Sequence, residues 1–120
     1  MREEEALNAF AALSQETRLR IVRRLVAAGP SGMAAGAIGE AMGGASSSRM
    51  SFHLSHLEQA GLVTSRRKGR SIVYSAALTT LSGLVAFLMR DCCQGNPEVC
   101  DPAIAALSTC RNLTKVTPHV

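Results

Sequence analysis

Apolar residues recur at intervals of three and four along most of the chain, a spacing that predicts a mainly helical protein. The first such segment spans residues 4–13, and its apolar face carries Leu7, Phe10 and Leu13. In the second segment, Ser14 is the expected N-cap and Gly29-Pro30 the expected end. The apolar stripe of this second helix consists of Leu19, Val22, Leu25 and Val26, with Ile21 at its edge. Its four arginines, which we interpret as a solvated face, are Arg18, Arg20, Arg23 and Arg24.

Two helices around a glycine turn are predicted for the middle of the chain. The first spans Met33–Met42, and Gly43-Gly44 forms the turn. The second begins near Ser46 and ends at Gly61, a C′ glycine. Its apolar seam consists of Met50, Leu54 and Leu57. This pattern is typical of a helix-turn-helix, and an ordinary αα-hairpin is the alternative.

A basic β-hairpin is predicted directly after this helix. Its strands are Leu62–Arg66 and Ser71–Ser75, and Gly69 supplies the positive φ that the tight connection requires. The segment between Gly61 and Tyr74 contains four basic residues and no acidic one. A polar helix face beside such a hairpin suits duplex DNA, which offers base edges in a groove and phosphates beside it.

We therefore predict a set of DNA contacts. The residues expected in the major groove are Ser47, Ser48, Arg49, Ser51, Phe52 and Ser55. Those expected on flanking phosphates are Arg67, Lys68 and Arg70. Arg49 is the member of the groove set that can bind guanine in a bidentate manner. We interpret His53 and His56 as packed or hydrogen-bonded side chains rather than metal ligands.

Two parts of the sequence resemble the ArsR/SmtB family of winged helix-turn-helix repressors. The longer match is Ser51-x-His53-Leu54-x-x-Leu57-x-x-Ala60-Gly61-Leu62-Val63, followed by Lys68-Gly69-Arg70-x-x-x-Tyr74. The upstream match is Leu13-Ser14-x-x-Thr17-Arg18-Leu19-Arg20-Ile21. The resemblance implies a mainly α (α+β) fold: a winged helix-turn-helix whose wing is a two-stranded hairpin. It also implies a homodimer formed through the first and last long helices.

An apolar stripe after the hairpin predicts a last long helix from Leu78 to about Arg90. Its members are Leu78, Leu81, Leu84, Val85, Leu88 and Cys92. This face needs a partner, either its own domain or a second subunit. A two-fold dimer would place two recognition helices about one DNA turn apart, which predicts a palindromic operator.

Composition narrows the protein class further. The chain has 120 residues and a formal charge of +4, with acids concentrated at Glu3–Glu5. We predict a DNA-binding and dimerisation domain over residues 1–91 and a cysteine-containing tail over residues 92–120. No segment resembles a targeting signal or a membrane span, so we expect a cytoplasmic protein with reduced thiols.

All four cysteines lie late in the chain: Cys92, Cys93, Cys100 and Cys110. A Cys92–Cys93 disulfide would be strained, because adjacent Cα atoms are about 3.8 Å apart and disulfides prefer roughly 4.4–6.8 Å. The turn Gln94-Gly95-Asn96-Pro97 can return the chain toward the pair, and Asp101-Pro102 predicts a small helix over residues 102–110.

Three converging thiolates suit a soft trivalent ion, As(III) or Sb(III), better than Zn(II), which usually takes four ligands. We therefore predict an inducer site made of Cys92, Cys93 and Cys100, with Arg90 favouring the thiolates and no permanently bound cofactor. We interpret Cys110 as a free thiol.

The tail also resembles that of arsenic-responsive ArsR repressors with a C-terminal site. The matching residues are Asp91-Cys92-Cys93-x-Gly95-x-Pro97-Glu98-x-Cys100. This implies a repressor that binds operator DNA when empty and releases it when the metalloid binds. A thiol redox sensor or a sensor of methylated arsenicals remains an alternative. An enzyme is disfavoured, since the sequence has no phosphate-cradling glycine loop and no C-x-x-C after a strand.

Overall fold

The computed structural model describes the backbone of residues 1–116 and the side chains of residues 1–108. The chain divides into two compact units, Met1–Leu84 and Val85–Val120. The helices are α1 (Glu3–Leu13), α2 (Glu16–Ala28), α3 (Ala35–Ala41), α4 (Ser47–Gln59), α5 (Leu78–Ala86) and α6 (Pro97–Val116). The strands are β1 (Met33–Ala34), β2 (Val63–Lys68) and β3 (Ser71–Ala76), and a π-helical turn spans Phe87–Cys92.

The core of the first unit joins α2, α3, α4 and the sheet. Its largest fully buried side chains are Ile21, Leu25, Ile38, Leu54, Leu57, Leu62 and Val63. The seam predicted for α4 is confirmed, since Met50, Leu54 and Leu57 are all buried. Burial of this seam holds α4 on the domain and leaves its opposite face exposed to solvent.

Helix α1 packs through its alanines rather than through its large apolar side chains. Ala6, Ala9 and Ala12 are buried, whereas Leu7 is 60% exposed. Of the predicted apolar face, Phe10 and Leu13 are half-buried and Leu7 is exposed. Small side chains at these positions let α1 approach its neighbours closely.

Helix α2 differs from its prediction at the N-cap and in its buried stripe. Gln15, not Ser14, is the N-cap and its side chain accepts a hydrogen bond from the Arg18 N–H, while Ser14 is the C-cap of α1. The buried apolar residues are Ile21, Val22 and Leu25. Leu19 and Val26, predicted for the stripe, are each 44% exposed. At 100° per residue both lie on the same margin of the stripe, beyond Val22.

The range predicted as one helix, Met33–Met42, divides into two elements. Met33 and Ala34 form the strand β1, and the helix α3 spans only Ala35–Ala41. Met33 and Ala34 pair with Tyr74 and Val73, so β1 joins the hairpin in a three-stranded antiparallel sheet of order β1-β3-β2. β2 pairs with one edge of β3 and leaves the other edge unpaired. The backbone of Met33 and Ala34 hydrogen-bonds to that second edge. The hairpin itself is confirmed, with β2 and β3 longer than predicted and joined by Gly69-Arg70.

The last two helices also differ from the sequence prediction. Helical structure from Leu78 continues to Cys92, but its final part is π-helical rather than α-helical. Helix α6 begins at Pro97 instead of Pro102, because the Asn96 side chain accepts a hydrogen bond from the Glu98 N–H at 2.8 Å. Pro97 at the first helical position needs no donor, and Pro102 lies inside the helix. Within residues 1–116, no helix combines the length and apolar character that crossing a bilayer requires.

Candidate functional site

The exposed face of α4 carries the polar side chains that the sequence predicted for the major groove. All six are exposed: Ser47, Ser48, Arg49, Ser51, Phe52 and Ser55. Ser46 caps the helix by accepting a hydrogen bond from the Arg49 N–H at 3.3 Å. The first turn of α4 therefore presents hydroxyl groups and one guanidinium to solvent, which are groups that hydrogen-bond base edges and phosphates.

Phe52 is an exposed aromatic ring in the middle of this polar face. Its side chain is 63% exposed, and its ring centroid lies 5.5 Å from that of His53 and 5.8 Å from that of His56. An apolar ring held at such a site can contact a thymine methyl group.

A buried pair, Arg18 and His53, attaches α4 to α1 and α2. Arg18 is 8% exposed; its Nε donates to the Ala12 carbonyl at 2.8 Å and its Nη1 to His53 Nδ1 at 3.3 Å. Because a guanidinium has no acceptor, Nδ1 must be the acceptor in this bond. The sequence interpretation of His53 as a hydrogen-bonded side chain is confirmed, but the interpretation of Arg18 as solvated is wrong.

A sequence signal for the burial of Arg18 existed. Arg18 precedes Ile21, Val22 and Leu25 by three, four and seven residues, which is the spacing of one helix face. The surrounding run of arginines hid this periodicity, since charge alone favoured a solvated position.

The Arg18–His53 pair predicts a pH dependence of stability. Burial lowers the pKa of His53 below its usual 6.5, and the nearby charges of Arg18, Arg49 and His56 lower it further. Below about pH 6.5 the unfolded chain binds a proton that the folded chain does not, so the free energy of unfolding should fall as the pH drops, by at most about 1.4 kcal/mol per pH unit. Urea unfolding between about pH 5 and pH 7.5 measures this.

His53→Gln is the matched control for this prediction. Its amide oxygen can still accept from Arg18 but does not titrate. The variant should lose part of the pH dependence. An identical pH profile in both proteins would contradict the assignment of that slope to His53.

The wing places its predicted phosphate contacts at an exposed tip. Arg67 and Lys68 end β2, and Arg70 lies in the turn to β3. All three are exposed, and none forms an ion pair with a residue in the described part of the chain. These three charges are therefore available to phosphates.

Arg66, although basic and close to the wing tip, has a different role. Its guanidinium donates to Ser75 Oγ at 3.2 Å and to the Ser31 carbonyl at 2.9 Å, which ties β2 to the loop before β1. A third bond, from Ser65 Oγ to Glu58 Oε2 at 2.6 Å, ties the same strand to α4. These bonds orient the wing relative to the recognition helix.

Cys92, Cys93 and Cys100 are free thiols of the second unit, Cys92 exposed and the other two partly exposed. Cys100 returns to the π-helical turn that ends at Cys92: its thiol lies 3.7 Å from the Met89 carbonyl, which also accepts from the Gly95 N–H at 2.8 Å. Among the described side chains, however, no three His, Cys, Asp or Glu residues form a group ready to hold a metal ion. Cys110 lies in α6, outside the described side chains.

The loop between the two cysteine segments has an unusual backbone. Gln94 has a φ of 53° and Gly95 a φ of 69°, and the Asn96 N–H donates to the Cys93 carbonyl at 2.9 Å. A non-glycine residue in this left-handed region costs roughly 1–2 kcal/mol. The π-helical turn and this tight turn together define where Cys92 and Cys93 lie relative to Cys100.

Comparisons with known proteins agree with this architecture. A family model described as a helix-turn-helix domain matches residues 13–66. The comparison with curated proteins finds no match.

Three solved structures illustrate the similarity. An ArsR-like transcriptional regulator from Rhodococcus sp. RHA1 is 30% identical with a TM-score of 0.65, covering 88% of this chain and 92% of that one. A possible transcriptional regulator for arsenical resistance is 30% identical with a TM-score of 0.59, covering 68% and 80%. The homodimeric winged helix-turn-helix DNA-binding domain of Mb0332 from Mycobacterium bovis, a possible ArsR-family regulator, is 25% identical with a TM-score of 0.60, covering 79% and 84%.

Proposed function

The chain belongs to the ArsR family of winged helix-turn-helix transcriptional regulators, and we propose that within this family it is an arsenic-responsive repressor. As a member of the family it is a regulator and not an enzyme. It would bind operator DNA as a dimer in the cytoplasm and dissociate when Cys92, Cys93 and Cys100 bind As(III) or Sb(III).

One observation carries the DNA-binding part of the proposal: the outward polar face of α4 lies beside a wing tip whose cations are not neutralised by described residues. Ser47, Ser48, Arg49, Ser51, Phe52 and Ser55 would enter the major groove. Arg67, Lys68 and Arg70 would bind the flanking phosphates. Hydrogen bonds to base edges give sequence preference, and the wing charges give affinity that depends on salt.

Exposed apolar residues on α1, on α5 and on the π-helical turn support dimerisation. Leu7 of α1 is 60% exposed, Leu78 and Val85 of α5 are 57% and 47% exposed, and Leu88 is 44% exposed. Burying these side chains against a second subunit would stabilise a dimer by the hydrophobic effect. A two-fold dimer would recognise a palindromic operator with half-sites about 34–36 Å apart.

The chemistry of the tail supports a trivalent metalloid as inducer. Three thiols lie within nine residues, and Cys100 packs on the turn that ends at Cys92. Thiolates are the ligands that soft ions prefer. The solved structure described as a possible regulator for arsenical resistance is consistent with this ligand class.

Binding would require the thiols to move together, and this movement would provide the coupling. The three sulfurs are not already grouped around one point. A metalloid that binds all three must therefore reshape the π-helical turn or the Gln94-Gly95 turn. If the reshaped form binds DNA less well, metalloid and DNA reduce each other's affinity by the same factor.

An operator-binding titration tests the proposal. A palindromic duplex would first be selected with the wild-type protein from random-sequence DNA. Arsenite is then expected to release the wild-type protein from this duplex, and Cys93→Ser is expected to stay bound because two thiolates cannot complete a three-sulfur site. Fluorescence anisotropy of the labelled duplex measures the release.

Cys110→Ser is the matched control, since it removes a cysteine outside the proposed site and should respond as the wild type does. Release of Cys93→Ser by arsenite at wild-type concentrations would show that the proposed site is wrong. Release by an oxidant alone, reversed by a reductant, would identify a redox sensor. Release of Cys93→Ser by a methylated trivalent arsenical but not by arsenite would identify a two-thiol sensor of organoarsenicals.

A further inference from the structure

The outer face of α2 carries a concave basic surface that the proposed DNA contacts do not include. Arg20, Arg23 and Arg24 are exposed and, with Ala27 and Met42, line a concavity of about 340 Å³. We call these three arginines the α2 basic surface. Three of its five lining residues are cations, which gives it the chemistry of an anion site.

The positive charge of this surface is largely uncompensated. Glu16 forms an ion pair with Arg20, but within residues 1–108 neither Arg23 nor Arg24 has a carboxylate partner. Arg20 also lies three residues from Arg23 and four from Arg24, where like charges on a helix repel each other. An external anion would relieve this repulsion.

The surface belongs to the element that flanks the recognition helix on the side opposite the wing. The wing is tied to α4 through Glu58 and Ser65, and α2 is tied to it through His53 and Arg18. At 100° per residue, His53 and Glu58 are about 140° apart around the axis of α4. That 140° sector holds the buried residues Met50, Leu54 and Leu57. Most of the exposed DNA-facing side chains occupy the remaining sector of about 220°, which the two attachments border on either side.

The surface is also near the end of α4 that would enter the groove. Met42, which contributes to the concavity, precedes the N-cap Ser46 by four residues. Even a fully extended chain of this length spans at most about 14 Å. A major groove is bordered by two sugar-phosphate backbones, so a helix seated in it has phosphates on both sides.

We propose that Arg20, Arg23 and Arg24 form a second phosphate-binding surface. This surface contacts the DNA backbone on the side of the recognition helix opposite the wing. The inference rests on the proposed DNA-binding function. Planar guanidinium groups bind phosphate oxygens through paired hydrogen bonds, which fits a phosphodiester ligand. These contacts are independent of base sequence.

The salt dependence of DNA binding tests this proposal without knowledge of the operator. A mixed-sequence duplex serves as the probe, and its affinity is measured between about 50 and 200 mM salt. The double variant Arg23→Gln and Arg24→Gln is expected to lower the slope of log affinity against log salt by roughly 0.9 for each phosphate that the protein no longer binds. Thermal unfolding confirms that this variant is folded.

Three further variants complete the test. Arg2→Gln removes one positive charge from a site outside the surface and should leave the slope close to that of the wild type, whereas Arg23→Gln alone should lower it. Arg23→Lys with Arg24→Lys keeps the charge and should restore most of the slope. Equal slopes for Arg23→Gln and Arg2→Gln would overturn the inference, because the effect would then be one of net charge alone. Absence of DNA binding by the wild type would instead refute the proposed function itself.

Discussion

Replacing the three wing-tip cations, as Arg67→Gln, Lys68→Gln and Arg70→Gln together, is expected to remove most of the affinity for DNA. In a dimer this substitution removes six positive charges at exposed positions that pair with no described residue. A protein that contacts six phosphates loses roughly 10³ in affinity between 50 and 200 mM salt. The wild type should show this steep dependence, and the triple variant should bind weakly with a much shallower one.

The measurement is the same anisotropy titration on the selected duplex, repeated at several salt concentrations. The charge-retaining variant Arg67→Lys, Lys68→Arg and Arg70→Lys is the control and should keep most of the salt slope. Folding should be unaffected, because Arg66 and Ser65 hold the wing and are not changed. A triple glutamine variant with wild-type slope and affinity would show that the wing does not contact phosphates.

The second large effect is expected from Gly32→Ala, in the loop between α2 and β1. Gly32 has a φ of +68°, and a Cβ atom there would lie 2.3 Å from the Tyr74 carbonyl oxygen and 2.6 Å from Ser75 Oγ. The left-handed backbone alone costs alanine about 1–2 kcal/mol. The clash with the backbone of β3 adds to this, so we expect the free energy of unfolding to fall by roughly 2–4 kcal/mol in total.

Gly43→Ala separates these two contributions. Gly43 also has a positive φ, +83°, but a Cβ atom there would meet nothing within 4 Å. Urea unfolding of both variants should show a clearly larger destabilisation for Gly32→Ala, since only that residue lies against the strand that pairs with both β1 and β2. Equal destabilisation of the two variants would mean that the loop at Gly32 shifts to accommodate the Cβ atom without disturbing the sheet.

Most of the DNA-binding motif was predictable from local sequence signals. The start of α4 follows from Ser46 as its cap, and its buried seam follows from Met50, Leu54 and Leu57 at helical spacing. The hairpin follows from the glycine between its strands. Each of these signals lies within a few residues of the structure that it specifies, so no distant contact is needed to interpret it.

The tail was predictable only in part. A turn after Cys93 that leads Cys100 back to the preceding helical segment follows from Gln94-Gly95-Asn96-Pro97. The π-helical turn was not predictable, because the choice between α and π hydrogen bonding depends on small differences in backbone packing. Local sequence patterns likewise do not determine whether the three sulfurs bind one ion. That binding stays a prediction, which the arsenite titration tests.

The order of the helices, the bounds of the recognition helix and the basic wing are encoded locally, because caps, glycines and apolar spacing act over short distances. The burial of Arg18 against His53, the bond from Arg66 to Ser31 and the completion of the sheet by Met33–Ala34 became visible only in the folded chain. These features join residues about 35 to 40 positions apart, so they exist only once the elements have packed. The same long-range packing places the wing and α2 on opposite flanks of α4.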